Sequence, residues 1–171
     1  PPEYLNRLFG VCMEGSYKGN PETQLQAIVF GHPAISGITP SLAEANPELL
    51  DLVRKYVALY KEFIRPWHRD ARLYHHTPVI AGVEASGWCV LENVAADRSR
   101  ALAGVFRLLN TPGAEYLLRF RGLDPARRYC VTTEPGGLTC EVDGHELRQR
   151  GLNVRLDTAL TSQLLRVEAT R

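Results

Sequence analysis

Apolar residues along this chain recur with two different periods. After Asn20-Pro21-Glu22, Leu25, Ile28 and Val29 fall at helical intervals and stop before Gly31. Asn caps, Pro fits the first helical position, and Glu suits the positive end of the helix dipole. Asn46-Pro47-Glu48 repeats that start. Leu49, Val53, Tyr56, Val57, Tyr60, Phe63 and Ile64 then form one stripe running to Pro66, which predicts a second helix ending there. Between the two lies FGHPAISGI, residues 30–38. It is short, apolar and bounded by Gly and Pro, as a buried parallel strand is. Helix, buried strand, helix is the grammar of an α/β unit, and one such unit cannot close a sheet.

From about residue 70 the period drops to two. Leu102, Gly104, Phe106 and Leu108 alternate with their neighbours, as do Tyr116, Leu118 and Phe120 against Arg119 and Arg121. Tyr129-Val131-Thr133, Leu138-Cys140-Val142, Leu152-Val154-Leu156 and Leu165-Val167-Ala169 continue the pattern. Thr111-Pro112-Gly113, Leu123-Asp124-Pro125, Pro135-Gly136-Gly137 and Asp143-Gly144 punctuate it. Short strands at this spacing predict an antiparallel β-sandwich. In RFRGLDPARRYCV, Asp124 and Pro125 suit the first two positions of a type I turn. That predicts a hairpin joining strand 116–121 to strand 128–133.

A chain of 171 residues, 44% hydrophobic and 23% charged, is ordinary globular material. A net charge of +1 argues against nucleic acid or a membrane surface as partner. No apolar run approaches a membrane span. The opening, PPEYLNRLFG, carries neither an initiator Met nor a signal-peptide pattern, as a piece of a longer protein does. The compartment stays open, with the cytoplasm favoured. Cys12, Cys89, Cys130 and Cys140 form no C-x-x-C pair, so no structural zinc site is expected. Cys130 and Cys140 are positioned to face each other across a hairpin, either bonded or as buried thiols.

Signals for chemistry are sparse. Ser16 and Ser36 lie near Gly, but neither sits in G-x-S-x-G, and the glycines at 10, 15 and 19 do not make a phosphate loop. His68, Asp70, His75 and His76 are metal-capable residue types, yet they read better as a solvated connector. Arg119 and Arg121 read as the wet face of a strand. A retaining glycosidase needs two carboxylates about 5–5.5 Å apart. Glu22, Glu48, Asp51 and Glu62 fall on the expected helices and Glu44 in a connector, which leaves Glu14 alone in a loop able to top a barrel. The residues therefore hold no complete catalytic pair, and no cofactor or metal is expected.

Three stretches in order resemble the C-terminal part of glycoside hydrolase family 36, the α-galactosidase family. ETQLQAIVFGHPAISGI with ELLDLVRKYVALYKEFIRP is similar to the last barrel strand and its helix. DARLYHHTP is similar to the connector leaving the barrel. GWCVLENVAADRSRALAGVFRLLN, RFRGLDPARRYCV and GHELRQRGLNVRL are similar to the C-terminal sandwich. The resemblance implies α/β plus all-β architecture: residues 1–69 ending a (β/α)8 barrel, and residues 70–171 forming an antiparallel β-sandwich. It implies a retaining hydrolase of terminal α-galactosides. Its two catalytic Asp residues lie on earlier barrel strands, upstream of Pro1. Glu14, Ser16, Lys18 and His32 then edge the sugar cleft as substrate-binding residues.

Two departures bear on the sugar. The loop CMEGSYKGN stands where the family often has a His/Ser and Asn-His pattern, and Thr39 stands where a carboxylate often follows the last strand. Other α-linked sugars, α-N-acetylgalactosaminides among them, stay open. So does homo-oligomerisation of a full-length enzyme. The alternative reading is a noncatalytic β-sandwich that binds carbohydrate or serves structure. It turns on whether Trp67 or Trp88 offers a ring to sugar. Trp67 is expected at the domain junction and Trp88 in the core.

Overall fold

The computed structural model describes residues 8–12, 20–36, 46–78 and 87–170. The chain falls into two compact units, Pro1–Pro66 and Trp67–Arg171.

In the first unit, strand β1 (Leu8–Cys12) pairs in parallel with β2 (His32–Ser36), Leu8 opposite His32 and Cys12 opposite Ser36. Helix α1 (Pro21–Ile28) connects them in a βαβ step, so the strand expected within residues 30–38 is present and parallel, and β1 is a strand the sequence reading did not mark. Asn20 caps α1 by accepting the Glu22 and Thr23 N–H groups at 3.0 and 3.4 Å. Asn46 caps α2 (Pro47–Leu59) through the Leu49 N–H at 3.1 Å. Leu25, Ile28, Val53, Tyr56, Phe63 and Ile64 are buried, so the sequence stripes are the core-facing ones. The stripe does not end at Pro66. The helix widens into a π turn over Tyr60–Ile64, where the Arg65 N–H reaches back to Tyr60 O, and continues as α3 (Arg65–His68). Proline breaks an α-helix because it has no N–H and crowds the preceding turn. The wider turn just before it re-spaces the ladder and lets the helix pass. Two parallel strands do not close a barrel, and among the described residues no other strand pairs with them.

The second unit is all antiparallel. Its large sheet runs in the order β3-β4-β5-β10-β7-β8, built from β3 (Arg72–His75), β4 (Trp88–Val94), β5 (Arg100–Arg107), β7 (Arg128–Glu134), β8 (Thr139–Asp143) and β10 (Thr161–Ala169). A two-stranded ribbon pairs β6 (Glu115–Leu118) with β9 (Leu152–Arg155). Val90, Ala103, Val131 and Val167 of the sheet, Leu118 and Val154 of the ribbon, and Leu147 of helix α4 (Gly144–Gln149) belong to one hydrophobic core. Antiparallel sheets sharing one core are consistent with the expected sandwich.

Three expectations are corrected. The type I turn exists, with the Arg127 N–H reaching Asp124 O at 3.3 Å. It does not make a hairpin, because β6 pairs with β9 while β7 lies between β10 and β8. Asp143-Gly144, read as a turn, instead starts α4, since Gly144 docks its N–H on Arg127 O. Cys130 and Cys140 do lie on a hairpin, but Cys130 stands opposite Glu141 and Cys140 opposite Val131. That one-residue offset sends the two side chains to opposite faces, and both are free thiols.

Candidate functional site

Glu14, Ser16 and Lys18 lie outside the described residues. His32 opens β2, and its backbone sits in the parallel ladder. Beside Pro33 of that strand is a hollow of about 440 Å³, lined by Ile28, Val29, Tyr56, Val57, Tyr60 and Lys61 among others. Its wall is held by a polar tie between the two helices. The buried Gln26 amide donates to Tyr56 Oη at 2.7 Å, and that hydroxyl donates to Glu22 Oε1 at 2.7 Å. Lys55 Nζ stands 3.6 Å from the same carboxylate oxygen. Glu22 is thus committed to holding α1 against α2.

The metal-capable quartet does not gather. Asp70 and His75 are exposed, as a solvated connector requires. His68 Nδ1 instead faces the Asn93 amide at 3.2 Å. His76, whose side chain is only 5% exposed, hydrogen-bonds through Nε2 to Glu92 Oε2 at 2.7 Å. The solvated reading fails for these two because each finds a buried polar partner on β4. Among the described residues no three metal-capable side chains come together.

Glu92 is the carboxylate that sequence reasoning missed. It sits on β4 on the same face as Val90 and Val94, and its side chain is wholly buried. Oε2 accepts the Arg121 N–H at 2.8 Å and Oε1 the Gly122 N–H at 2.8 Å. A carboxylate following the apolar run Trp88–Leu91 was the available signal. Its chemistry is structural: the carboxylate grips the backbone of the RGLDP segment. Tyr129 fixes the other end of the segment, its hydroxyl accepting the Asp124 N–H at 2.9 Å and donating to Arg98 O at 2.8 Å. Burial pushes that hydroxyl above the ordinary tyrosine range. Phe120 N–H reaches Leu147 O at 3.0 Å, which ties the segment to α4 as well.

Trp88 is half-buried and packs against the core, its ring 5.6 Å from that of Tyr116 at 51°, as the core reading expects. Arg119 and Arg121 are exposed, as expected, but β6 ends at Leu118, so they lie in the loop after it and not on a strand face. They also flank a second hollow of about 440 Å³ beside Tyr116 and Arg148.

Residues 88–167 match the family model described as the glycosyl hydrolase family 36 C-terminal domain. Among solved structures, the chain is similar to an α-galactosidase of that family, AgaA from Geobacillus stearothermophilus, crystallised as a double variant with raffinose. That likeness has a TM-score of 0.68 and 21% identity over 95% of this chain and 21% of that one. It is also similar to the galactosidase domain of an α-galactosidase–sucrose kinase, AgaSK, with a TM-score of 0.71 and 16% identity over 95% of this chain and 22% of that one. The chain therefore spans about a fifth of each structure it resembles. No curated protein matches it. The resemblance read from the sequence is thereby shown for the C-terminal region, and the shared fold extends into the first unit.

Proposed function

From the match of residues 88–167 to the glycosyl hydrolase family 36 C-terminal domain, we propose that this chain is the C-terminal piece of a retaining α-galactosidase-like hydrolase. Residues 1–69 complete a (β/α)8 barrel, and residues 70–171 form the sandwich that supports it. The observation that carries the reading is likeness of fold, in order, over 95% of the chain to two α-galactosidase structures. Two carboxylates on barrel strands upstream of Pro1 do the chemistry, one as nucleophile and one as acid/base. The acids whose roles are defined here fit a supporting part: Glu22 braces two helices and Glu92 grips a loop. Terminal α-linked galactosides are the substrates.

Hydrolysis of p-nitrophenyl α-D-galactopyranoside tests this in two proteins, the 171-residue chain and the gene product extended upstream to a start codon. Activity confined to the longer protein is the expected result. Activity in the short chain alone would place a catalytic pair inside it and overturn the reading. Within the longer enzyme, Glu14, Ser16, Lys18 and His32 edge the sugar cleft. Glu14→Gln is expected to lower kcat/KM about tenfold, the effect of losing one charged hydrogen bond to substrate. Unchanged kinetics would remove Glu14 from the cleft.

A further inference from the structure

Several arginines of the second unit are neutralised by a neighbouring carboxylate. Arg100 pairs with Glu168, Arg127 with Asp124, Arg128 with Asp143, Arg150 with Glu146, and Arg155 with Glu115 and Asp157. Arg119, Arg121 and Arg148 differ from these in standing together without one. None of the three pairs with a carboxylate among the described residues, and all three line one hollow. The acids closest in sequence, Glu115, Asp124 and Glu146, are already spent on Arg155, Arg127 and Arg150.

The three guanidiniums are also held in place. Arg119 Nε donates to Gln149 O at 3.0 Å, Arg121 Nη1 to His75 O at 2.9 Å, and Arg148 Nη1 to Leu123 O at 3.0 Å. Each spends one N–H on a backbone carbonyl and keeps most of its donors. Pinning side chains in advance removes part of the ordering cost that weakens exposed charge contacts. The one buried carboxylate nearby, Glu92, already accepts two backbone N–H groups and faces His76. Three guanidiniums against that single acid leave a positive surplus. One wall of the hollow is different in kind: Tyr116, and Leu117, which is 46% exposed.

We infer that this hollow is an anion-binding site of the sandwich, taking a phosphate group on the three guanidiniums and the body that carries it on Tyr116 and Leu117. Arginine suits phosphate because its planar fork offers paired donors to neighbouring oxygens. The inference stands apart from the hydrolase reading, since it uses only side chains of the second unit.

The test is titration of the full chain, ¹⁵N-labelled, with inorganic phosphate, α-D-galactose 1-phosphate or galactose. The expected result is saturable shifts confined to amides of residues 115–121 and 147–149. Binding weakens at least tenfold in Arg119→Gln/Arg148→Gln and is unchanged in Arg155→Gln. Because Arg148 also braces Leu123, Arg119→Gln alone serves as the second variant. It should weaken binding about threefold with spectral dispersion intact. Tighter binding of the sugar phosphate than of either inorganic phosphate or galactose supports the site with a phosphorylated sugar as ligand. Equal binding of the two phosphates supports it with the free anion as ligand. Shifts that never saturate, shifts spread over the whole basic surface, or equal weakening by Arg155→Gln would overturn the inference.

Discussion

A carboxylate inside an apolar sheet is costly unless its lone pairs are met by donors. Glu92 has two backbone N–H groups and a histidine to meet them. Glu92→Ala leaves all three partners without an acceptor. It is expected to destabilise the second unit by about 3 kcal/mol or more, read as a lower urea midpoint with unchanged slope. A loss below about 0.5 kcal/mol, the scale of an ordinary surface change, would deny the carboxylate its bracing role. Tyr129 carries a pH signature. In the unfolded chain its hydroxyl titrates near the ordinary value of 10.0, and burial raises it in the fold. Its contribution is therefore complete below pH 10 and is lost as pH rises from there through the folded value. Stability measured from pH 9 to 11 should fall, and Tyr129→Phe should flatten part of that slope. An unchanged slope in the variant would assign the fall to other groups.

Between α4 and the turn at Asp124 there is no room for a side chain. A Cβ at Gly144 would overlap Asp124 O and stand 2.9 Å from Arg127 O, both backbone atoms. Backbone cannot swing aside as a flexible side chain does. Gly144→Ala is accordingly expected to cost about 2 kcal/mol, an overpacking effect, and to lower the thermal midpoint. An unchanged midpoint would mean that α4 shifts freely. The buried tip of this short helix, Leu147, belongs to the core, so Leu147→Ala should cost about 2–5 kcal/mol by opening a cavity. Urea unfolding measures it, and a loss under about 1 kcal/mol would show that the neighbours collapse into the space.

At the scale of the molecule, residues 67–171 own a continuous core drawn from the large sheet, the ribbon and α4. Expressed alone, this unit is expected to unfold in one cooperative step, with circular dichroism and tryptophan fluorescence coincident. Separate transitions would show that the ribbon folds independently of the sheet. Much of this architecture was legible along the chain. Asn20 and Asn46 announced both helices, and the period of two announced the strands. Glu92, by contrast, carried no local mark of its role, because its partners come from 16, 29 and 30 residues away. The arginine hollow was illegible for the same reason. Arg119 and Arg121 alternate as a wet strand face does, and only the fold brings Arg148 beside them.

Local spacing sets which backbone conformation a segment prefers and which of its faces is apolar, because those preferences act within a few residues. The sequence by itself thus determined the helix starts, the parallel strand between the first two helices, the change of period near residue 70, the Asp124 turn and the family resemblance. Tertiary structure decided what depends on partners distant in the chain. It routed the RGLDP segment between sheets, set the one-residue offset that keeps Cys130 and Cys140 apart, and turned Asp143-Gly144 into a helix start. It also placed a buried Glu beneath a loop that needed donors answered. Register and long-range pairing are chosen by the packing of the whole core, and no window of neighbouring residues contains that information.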